Sequence, residues 1–139
     1  MRVLEHKAYM EPIHNRIKTT YQGEIIADSK NVLVMHETNH QPVYYFPFED
    51  VRMDLMEPTT HQTHWPIKGD ARYWSVKVGL DTTENAAWNY PVPIEGDGIV
   101  DVRNYVALYW NKMDAWFEDD IEVTRASSLL EQLQGGFQW

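Results

Sequence analysis

Alternating apolar and polar residues predict β-strands through the first third of the chain. Residues 16–21 alternate and are rich in β-branched side chains, a pattern that favours a strand. Gln22 and Gly23 follow, and glycine accepts the positive φ of a tight hairpin turn, so residues 24–28 are the predicted returning strand. Residues 31–37 carry apolar side chains on both faces, which predicts a central strand.

The same criteria predict further strands and the connections between them. Residues 43–46 form a short aromatic strand, and residues 71–78 alternate with Trp74 on the inner side. Residues 105–110 are apolar on both faces, and residues 121–123 are a last strand or a sheet edge. Polar composition predicts loops or connections elsewhere, namely at residues 57–63, 79–85 and 113–120.

Two segments have the sequence features of short helices. Residues 49–56 begin with acidic side chains and are bounded by prolines at both ends, which is typical of a helix. Near the C-terminus, Ser128 and Glu131 have the spacing of a capping box and accompany a stripe of leucines. The glycine pair at residues 135–136 is expected to end that second helix.

Length and pattern together predict the domain organisation. The chain has 139 residues and a mass of 16.4 kDa, the size of one ordinary domain. About two-thirds of the surface of such a chain is buried on folding, which is enough for a core without disulfides or metals. We predict a mainly β, single compact antiparallel domain over residues 1–125, followed by a C-terminal helix and an aromatic tail over residues 126–139.

Composition and charge exclude several classes of function. The chain has no cysteine, which excludes disulfides, thiolate metal sites and a cysteine nucleophile. The formal net charge of −9 disfavours nucleic-acid binding, because an acidic surface repels phosphate backbones. No apolar run has the length of a membrane span, and residues 1–6 lack a signal-peptide core. We therefore expect a cytoplasmic protein without membrane association.

Six histidines raise the question of a metal site. His36 and His40 are four residues apart, and His61 and His64 are three apart, spacings that suit a metal when they fall on a helix. Here they fall at a strand end, in a turn and in a predicted loop, so we interpret them as surface or hydrogen-bonded histidines. We expect no metal and no cofactor. The sequence also has no nucleophile elbow and no glycine-rich phosphate loop.

Carboxylates at the ends of apolar segments are candidates for acid–base chemistry. Asp28, Glu37 and Asp50 have this placement, and partial burial raises the pKa of a carboxyl group. Lys68, between a proline and a glycine, would bring positive charge to an anionic ligand or pair with one of the acids. The candidate catalytic residues are therefore Glu37, Asp50 and Lys68. The alternative is a set of structural ion pairs with a helix N-terminal charge at Asp50.

Aromatic residues make up 13% of the chain, with six tryptophans and eight tyrosines, enough for both a core and a binding wall. Those that could line a pocket are Tyr45, Trp65, Tyr73, Trp74, Trp88 and Tyr90. Core burial is the more frequent role and is expected for Trp74, whereas Trp88 and Tyr90 flank a loop. The candidate ligand-binding residues are accordingly Tyr45, Trp65, Trp88 and Tyr90.

An ordered series of motifs resembles a known family. The motifs are Gly-Glu-Ile-Ile-Ala-Asp-Ser at residues 23–29, His-Glu at 36–37, Tyr-Tyr-Phe-Pro at 44–47, Thr-His-Trp-Pro-Ile-Lys-Gly at 63–69, Ala-Ala-Trp-Asn-Tyr-Pro at 86–91 and Tyr-Val-Ala at 105–107. Their succession over roughly residues 6–125 resembles the bacterial and fungal family catalogued as domain of unknown function 427. The order of the motifs is more specific than any one of them.

The resemblance implies a fold but no mechanism. It implies a compact β domain of the β-tent type, similar in architecture to methionine sulfoxide reductase B and to zinc-knuckle exchange factors. The family also carries a nucleotidyltransferase label, but this chain lacks the glycine-serine and paired-aspartate signature of that chemistry. The family usually has cysteine where this chain has Trp65, so thiol chemistry is excluded here. The family has no agreed activity.

Three functional hypotheses follow. The first is a pocket for a small polar or anionic molecule, where Glu37 or Asp50 would act as acid or base and Lys68 would stabilise negative charge. The second is a non-catalytic interaction or homo-oligomeric module whose C-terminal tail packs on a partner or a second copy. The apolar residues of that tail are Leu129, Leu130, Leu133, Phe137 and Trp139. A nucleotide-handling enzyme is a third, weaker alternative.

Overall fold

A computed structural model describes residues 8–37, 40–65, 69–92 and 101–124 of the chain. Within these ranges it forms eleven β-strands and three short 3₁₀ turns. The strands are β1 (Ala8–Ile13), β2 (Ile17–Tyr21), β3 (Glu24–Ser29), β4 (Val32–Glu37), β5 (Val43–Pro47), β6 (Met56–Trp65), β7 (Gly69–Val78), β8 (Asp81–Asn89), β9 (Tyr105–Leu108), β10 (Ala115–Glu118) and β11 (Ile121–Val123). The predicted mainly β architecture is confirmed, and the β-tent type stays a prediction from the family resemblance.

The strands form two sheets, and their pairings are antiparallel. The larger sheet has seven strands in the order β1-β4-β5-β9-β8-β7-β6, and the smaller has four in the order β11-β10-β2-β3. A bridge between Ala27 of β3 and Val51 ties the smaller sheet to the segment after β5. Beside it, the backbone N–H of Arg52 donates to the carbonyl of Ile26 at 2.8 Å.

The hairpin between β2 and β3 turns where the sequence predicts it. Gln22 and Gly23 have φ angles of 49° and 80°, both in the left-handed region. Two such residues in succession give the two-residue turn whose twist matches that of the paired strands. The carboxylate of Asp114 accepts a hydrogen bond from the Gln22 backbone N–H at 2.6 Å, which fixes the turn against the end of the neighbouring strand.

Buried apolar side chains cover both faces of the seven-stranded sheet. One face packs against the smaller sheet in a cluster that includes Ile17, Trp74 and Trp116, so the predicted inward side of Trp74 is confirmed. Successive residues of a strand point to opposite faces, and the neighbours Tyr44 and Tyr45 of β5 accordingly belong to different clusters.

The second cluster lies on the opposite face of the larger sheet and is rich in aromatic rings. Its buried members are Met10, Leu33, Met35, Tyr45, Ala71, Tyr73, Trp88, Tyr90, Val102 and Ala107. They come from strands of the seven-stranded sheet, from Tyr90 directly after β8 and from Val102, which precedes β9. This face therefore carries a large aromatic surface on the side away from the smaller sheet.

The helix predicted over residues 49–56 is wrong. Two 3₁₀ turns, Phe48–Asp50 and Met53–Leu55, occupy this segment, with Val51 extended between them. Val51 pairs with Ala27 in the neighbouring sheet, and this long-range pairing requires an extended backbone that a continuous helix would not allow. Tertiary pairing overrides the local pattern of acidic residues and flanking prolines.

Three segments predicted as loops or connections also form strands. Residues 57–63 lie in β6, residues 81–85 begin β8, and residues 115–118 form β10. Their polarity has a structural cause: β6 is an edge strand, and the first half of β8 is largely exposed. Polar side chains on an exposed edge or hairpin remain hydrated, so composition alone does not distinguish them from a loop.

Two predictions concern features beyond this sheet framework. The C-terminal helix and tail predicted over residues 126–139 lie outside the described residues. Among the residues that the structure describes, no helix has the length and apolar character that crossing a bilayer demands.

Candidate functional site

A cavity of about 620 Å³ lies mainly on the aromatic-rich face of the seven-stranded sheet. We call it the aromatic cavity and define it by five ring-bearing residues and one carboxylate: Glu37, Tyr45, Tyr73, Trp88, Tyr90 and Tyr109. Sites for small molecules commonly enclose about 300–1,000 Å³ and are lined by aromatic side chains with a few polar groups. The aromatic cavity has the size and lining of such a site.

The strand order brings these side chains together from distant parts of the sequence. Across the sheet, Tyr45 of β5 pairs with Ala107 of β9, Ala107 with Trp88 of β8, and Trp88 with Tyr73 of β7. Residues paired directly across strands share one face, so the three rings form a single row. The small side chain of Ala107 lies between two of them and leaves room for both rings.

The rings in this row contact one another at defined angles. The centroids of Tyr45 and Trp88 are 6.3 Å apart with the planes at 80°, an edge-to-face arrangement. Tyr73 and Trp88 are 6.4 Å apart, and Tyr109 lies closer to Trp88, with 4.4 Å between centroids and 38° between planes. Such contacts hold each ring in one orientation and so preorganise the wall of the cavity.

Hydroxyl groups continue the wall beyond the rings. The hydroxyl of Tyr73 is 2.9 Å from Oγ1 of Thr63 in β6 and 3.4 Å from the hydroxyl of Tyr109. The first distance is that of an ordinary hydrogen bond, and the second is long for one. These contacts connect the edge strand to the end of β9 along one side of the cavity.

Burial raises the pKa of three tyrosine hydroxyls in the cavity above the ordinary value of 10.0, those of Tyr45, Tyr90 and Tyr109. For Tyr90, the neighbouring Tyr73 and the charge of Glu37 raise the pKa further. For Tyr109, the hydrogen bond with Tyr73 adds to burial. These hydroxyls therefore keep their protons to a higher pH than an exposed tyrosine does.

Glu37 is the carboxylate of the aromatic cavity. It ends β4 and is only 8% exposed, and its charge acts on the hydroxyls of both Tyr45 and Tyr90. His40 follows in the next turn, with its Nε2 atom 3.9 Å from a carboxylate oxygen of Glu37 and with an exposed side chain. Among the lining residues that the structure describes, the charged side chains are thus acidic or histidine, with no lysine or arginine.

Asp50, a predicted partner of Glu37, lies elsewhere in the molecule. It lines a separate concavity of about 300 Å³ beside β3. Its Oδ2 atom accepts a hydrogen bond of 2.6 Å from the hydroxyl of Ser29, which also accepts the backbone N–H of Asn31 at 2.9 Å. The structure does not bring Asp50 to the aromatic cavity, and its observed contacts tie the end of β3 to the turn after β5.

Asp28 also has a structural contact. Its two carboxylate oxygens accept hydrogen bonds from the guanidinium of Arg16 at 2.8 and 2.6 Å. These hydrogen bonds hold the pKa of the Asp28 carboxyl below its ordinary value. The paired geometry corresponds to the structural ion-pair interpretation of the sequence.

Two other predicted site residues are not placed with the cavity. Lys68 lies outside the described residues, as does the side chain of Trp65, whose backbone pairs with Gly69 at the end of β6. The predicted ligand-binding residues that line the aromatic cavity are therefore Tyr45, Trp88 and Tyr90.

The histidine pairs singled out by spacing are distributed over separate sites. His36 is fully buried, stacks on Tyr9 and lies 3.2 Å from a carboxylate oxygen of Glu11. His61 packs edge-on against the ring of Tyr73. Over the described ranges, no three histidine, aspartate or glutamate side chains are grouped as metal ligands.

A second open concavity, of about 530 Å³, lies beside the edge strand β6. Its lining is polar, and two of its charged groups, Lys77 and Glu57, pair with each other at 3.4 Å. Thr59 and Asn85 are likewise joined by a hydrogen bond of 2.7 Å. These mutual contacts make it a weaker candidate for ligand binding than the aromatic cavity.

Sequence reasoning did not assign Tyr109, His40 or Tyr73 to the site. Tyr109 directly follows the buried strand β9, and its position after a strand end was the available signal. Tyr73 is among the aromatic residues that could line a pocket, but the alternation of its strand predicts Trp74, not Tyr73, on the inner side. The register that places Tyr73 beside Trp88 is a long-range property of the sheet.

Fold and site together define a mainly β protein with an aromatic, carboxylate-bearing cavity on one face of its main sheet. The chain belongs to the family described as a domain of unknown function (DUF427), whose model matches residues 9–119. This match confirms the family resemblance drawn from the ordered motifs. No curated protein matches the chain.

Proposed function

We propose that the protein binds a small polar organic molecule in the aromatic cavity. The observation that carries the proposal is the convergence of five rings and a buried carboxylate, from five separate strands or strand ends, on one hollow of about 620 Å³. A cluster that served only to fill a core would close around its own rings. Here the rings form the wall of an accessible space.

Different residues of the lining would provide the apolar and the polar contacts to a ligand. The rings of Trp88 and Tyr109 offer broad apolar surfaces, and Met35 and Val43 extend these surfaces along the cavity. Glu37 and the tyrosine hydroxyls provide the few polar contacts that orient a ligand. The proposal concerns binding, because of the two candidate acids or bases only Glu37 lines this cavity, while Asp50 lines a separate concavity.

Blocking the cavity from within tests the proposal. Val43 is half-buried, lines the cavity and shares the face of β5 with Tyr45, so Val43→Phe places a ring in the hollow. Ile121→Phe, on the exposed strand β11, adds the same ring outside the cavity as a matched control. Binding is measured by saturation-transfer NMR with a mixed set of small amines, carboxylates and sugars.

We expect at least one compound to bind the wild-type protein and the Ile121→Phe variant but not Val43→Phe. Thermal melts of the three proteins establish that Val43→Phe is folded. If no compound binds the wild-type protein, or if bound compounds are unaffected by Val43→Phe, the proposed function is wrong.

A further inference from the structure

We infer that the molecule bound in the aromatic cavity is an uncharged cyclic polyol, such as a sugar or a cyclitol, whose hydroxyl groups bind the Tyr109 hydroxyl and the pair of Glu37 and His40; this inference rests on the proposed function. Both of these polar groups belong to the lining of the cavity. Each has the hydrogen-bonding pattern that suits a hydroxyl group as its partner.

The first polar group is a row of three hydroxyls that leads from the edge strand β6 to the cavity. Oγ1 of Thr63 lies 2.9 Å from the hydroxyl of Tyr73, which lies 3.4 Å from the hydroxyl of Tyr109. Each hydroxyl has one proton to donate, and two contacts use at most two of the three protons. Over the described residues, the Tyr109 hydroxyl makes no further hydrogen bond, so the row ends at the cavity with bonding capacity left.

The row can run in either direction, because hydroxyl protons rotate. If Thr63 donates to Tyr73 and Tyr73 to Tyr109, the Tyr109 hydroxyl donates its proton outwards. In the opposite direction, the Tyr109 oxygen accepts a proton from outside. A carbonyl group fits only the first direction and an ammonium group only the second. An alcohol hydroxyl, which both donates and accepts, fits both directions.

The second polar group is the pair of Glu37 and His40. The Nε2 atom of His40 lies 3.9 Å from a carboxylate oxygen of Glu37, which is beyond hydrogen-bond distance. A hydroxyl oxygen between the two accepts from the imidazole when Nε2 carries the proton, and it donates its own proton to the carboxylate. A carboxylate has about four lone-pair sites, so this contact is compatible with other partners of Glu37.

The two polar groups lie close to one further hydroxyl of the cavity, that of Tyr90. Burial raises the pKa of Tyr90, and the neighbouring Tyr73, Glu37 and Tyr109 raise that pKa further. Because electrostatic effects weaken with distance, Glu37 and Tyr109 both lie near the Tyr90 hydroxyl. One molecule in a cavity of about 620 Å³ can therefore reach both polar groups.

The apolar part of the lining favours a ring compound. Met35, Val43 and Leu108 border the same space as the polar groups. A cyclic polyol has carbon-bound hydrogens on the faces of its ring and hydroxyls around its rim, so it matches a lining of both kinds. A hydrocarbon would leave the polar groups without hydration, and an anion would add negative charge beside Glu37.

Four single-ring probes test the inference by NMR titration of the isotope-labelled wild-type protein. They are myo-inositol, D-glucose, D-glucuronate and cyclohexanol. We expect myo-inositol or D-glucose to bind. Cyclohexanol keeps a ring and one hydroxyl, and we expect it to bind at least about tenfold more weakly, because it makes fewer hydrogen bonds. D-glucuronate should bind more weakly than D-glucose because of its carboxylate.

Variants of the two polar groups locate the binding. Tyr109→Phe removes the hydroxyl at the end of the row and keeps the ring, and we expect it to weaken polyol binding about two- to tenfold, the contribution of one hydrogen bond. Tyr105→Phe removes the hydroxyl of a half-buried tyrosine that does not line the cavity, and it should leave binding unchanged. His40→Ala, at an exposed side chain that places little demand on folding, should weaken binding by a similar factor.

The outcomes separate this inference from the proposed function. Failure of both polyols to bind, binding of cyclohexanol as tight as that of the polyols, or binding of D-glucuronate as tight as that of D-glucose overturns the polyol inference. In those cases the proposed function still stands if another compound binds and is blocked by Val43→Phe. Polyol binding that is unchanged in both Tyr109→Phe and His40→Ala overturns the assignment of the ligand hydroxyls to these groups.

Discussion

The hydroxyl oxygens of Tyr73 and Tyr109 lie 3.4 Å apart, although 36 residues separate them in the chain. Tyr73 also contacts the hydroxyl of Thr63 at 2.9 Å, so its hydroxyl group joins the edge strand β6 to the segment that follows β9. Along one side of the aromatic cavity, hydroxyl contacts thus join the consecutive strands β6 and β7 to a residue 36 positions further along the chain.

Replacing Tyr73 with phenylalanine should remove these contacts and keep the ring. We expect Tyr73→Phe to lower the free energy of unfolding by about 0.5–1.5 kcal/mol, the usual contribution of one hydrogen bond. Burial still raises the pKa of Tyr109 in this variant, but the contribution of Tyr73 is lost, so that pKa should fall. Urea unfolding and NMR titration of ring-labelled tyrosine measure the two effects.

Thr63→Val is the matched control for this variant. It removes the Thr63 contact but leaves the Tyr73 hydroxyl beside Tyr109. We expect it to lower stability without changing the titration of Tyr109. Identical titration of Tyr109 in the wild-type protein and in Tyr73→Phe would show that the two hydroxyls do not interact.

The buried tyrosines of the cavity also predict how stability changes at alkaline pH. The folded state raises the pKa of Tyr45, Tyr90 and Tyr109 above 10.0, so at high pH it retains protons that the unfolded chain releases. The stability that these groups contribute is complete below their unfolded pKa and is lost as the pH rises above it. We expect the free energy of unfolding to decline progressively above about pH 10.

Denaturant unfolding at a series of alkaline pH values measures this decline. Tyr45→Phe removes one of the titrating hydroxyls, and its free energy of unfolding should therefore fall less steeply with pH than that of the wild-type protein. Parallel curves for the two proteins would contradict the assignment of Tyr45 as a contributor.

Local patterns predicted the parts of this fold that are determined within a few residues. The Gln22–Gly23 turn and the buried strand β4 follow from backbone preference and from apolar runs. Local patterns missed the edge strand β6, because exposed strands are polar. They also wrongly predicted a helix over residues 49–56, because the extended backbone of Val51 depends on pairing with a distant strand.

The candidate site likewise combines residues that local sequence predicts with an arrangement that depends on long-range pairing. Glu37 was predicted as a site residue because it ends an apolar segment. Tyr45, Trp88 and Tyr90 were predicted because aromatic side chains can line a pocket, and the structure places all four residues at one cavity. Asp50 also ends an apolar segment but faces Ser29 instead. Whether such a residue reaches the cavity depends on the strand order of the sheet, which brings side chains of β4, β5 and β8 together on one face. No local sequence pattern contains that order.

Ala107 tests whether that strand order positions the rings. It lies between Tyr45 and Trp88 in the row across β5, β9 and β8 and is fully buried. Ala107→Leu would force the two rings apart, and we expect it to cost about 1–3 kcal/mol of stability, as overpacking usually does. Ala115→Leu, at a half-buried position of β10, is the control and should cost less.

Urea unfolding provides the stability of both variants, and near-ultraviolet circular dichroism reports the environment of the displaced rings. An Ala107→Leu protein with wild-type stability and an unchanged aromatic spectrum would show that the rings have free space beside them. The row of rings would then not be as tightly packed as the strand pairing indicates.

The contact between Ser29 and Asp50 predicts a structural role for a carboxylate that the sequence marked as catalytic. Ser29 is only 4% exposed, donates to Asp50 at 2.6 Å and accepts from the backbone of Asn31 at 2.9 Å. Ser29→Ala removes both hydrogen bonds, and we expect a loss of about 1–3 kcal/mol, because each hydrogen bond contributes about 0.5–1.5 kcal/mol. Since Asp50 lines a different concavity, ligands of the aromatic cavity should bind this variant with wild-type affinity. Chemical unfolding and calorimetric titration with a compound that binds the wild-type protein in the NMR screen measure the two quantities on the same protein. Weakened binding of that compound by a folded Ser29→Ala protein would instead couple Asp50 to the cavity and restore it as a functional residue.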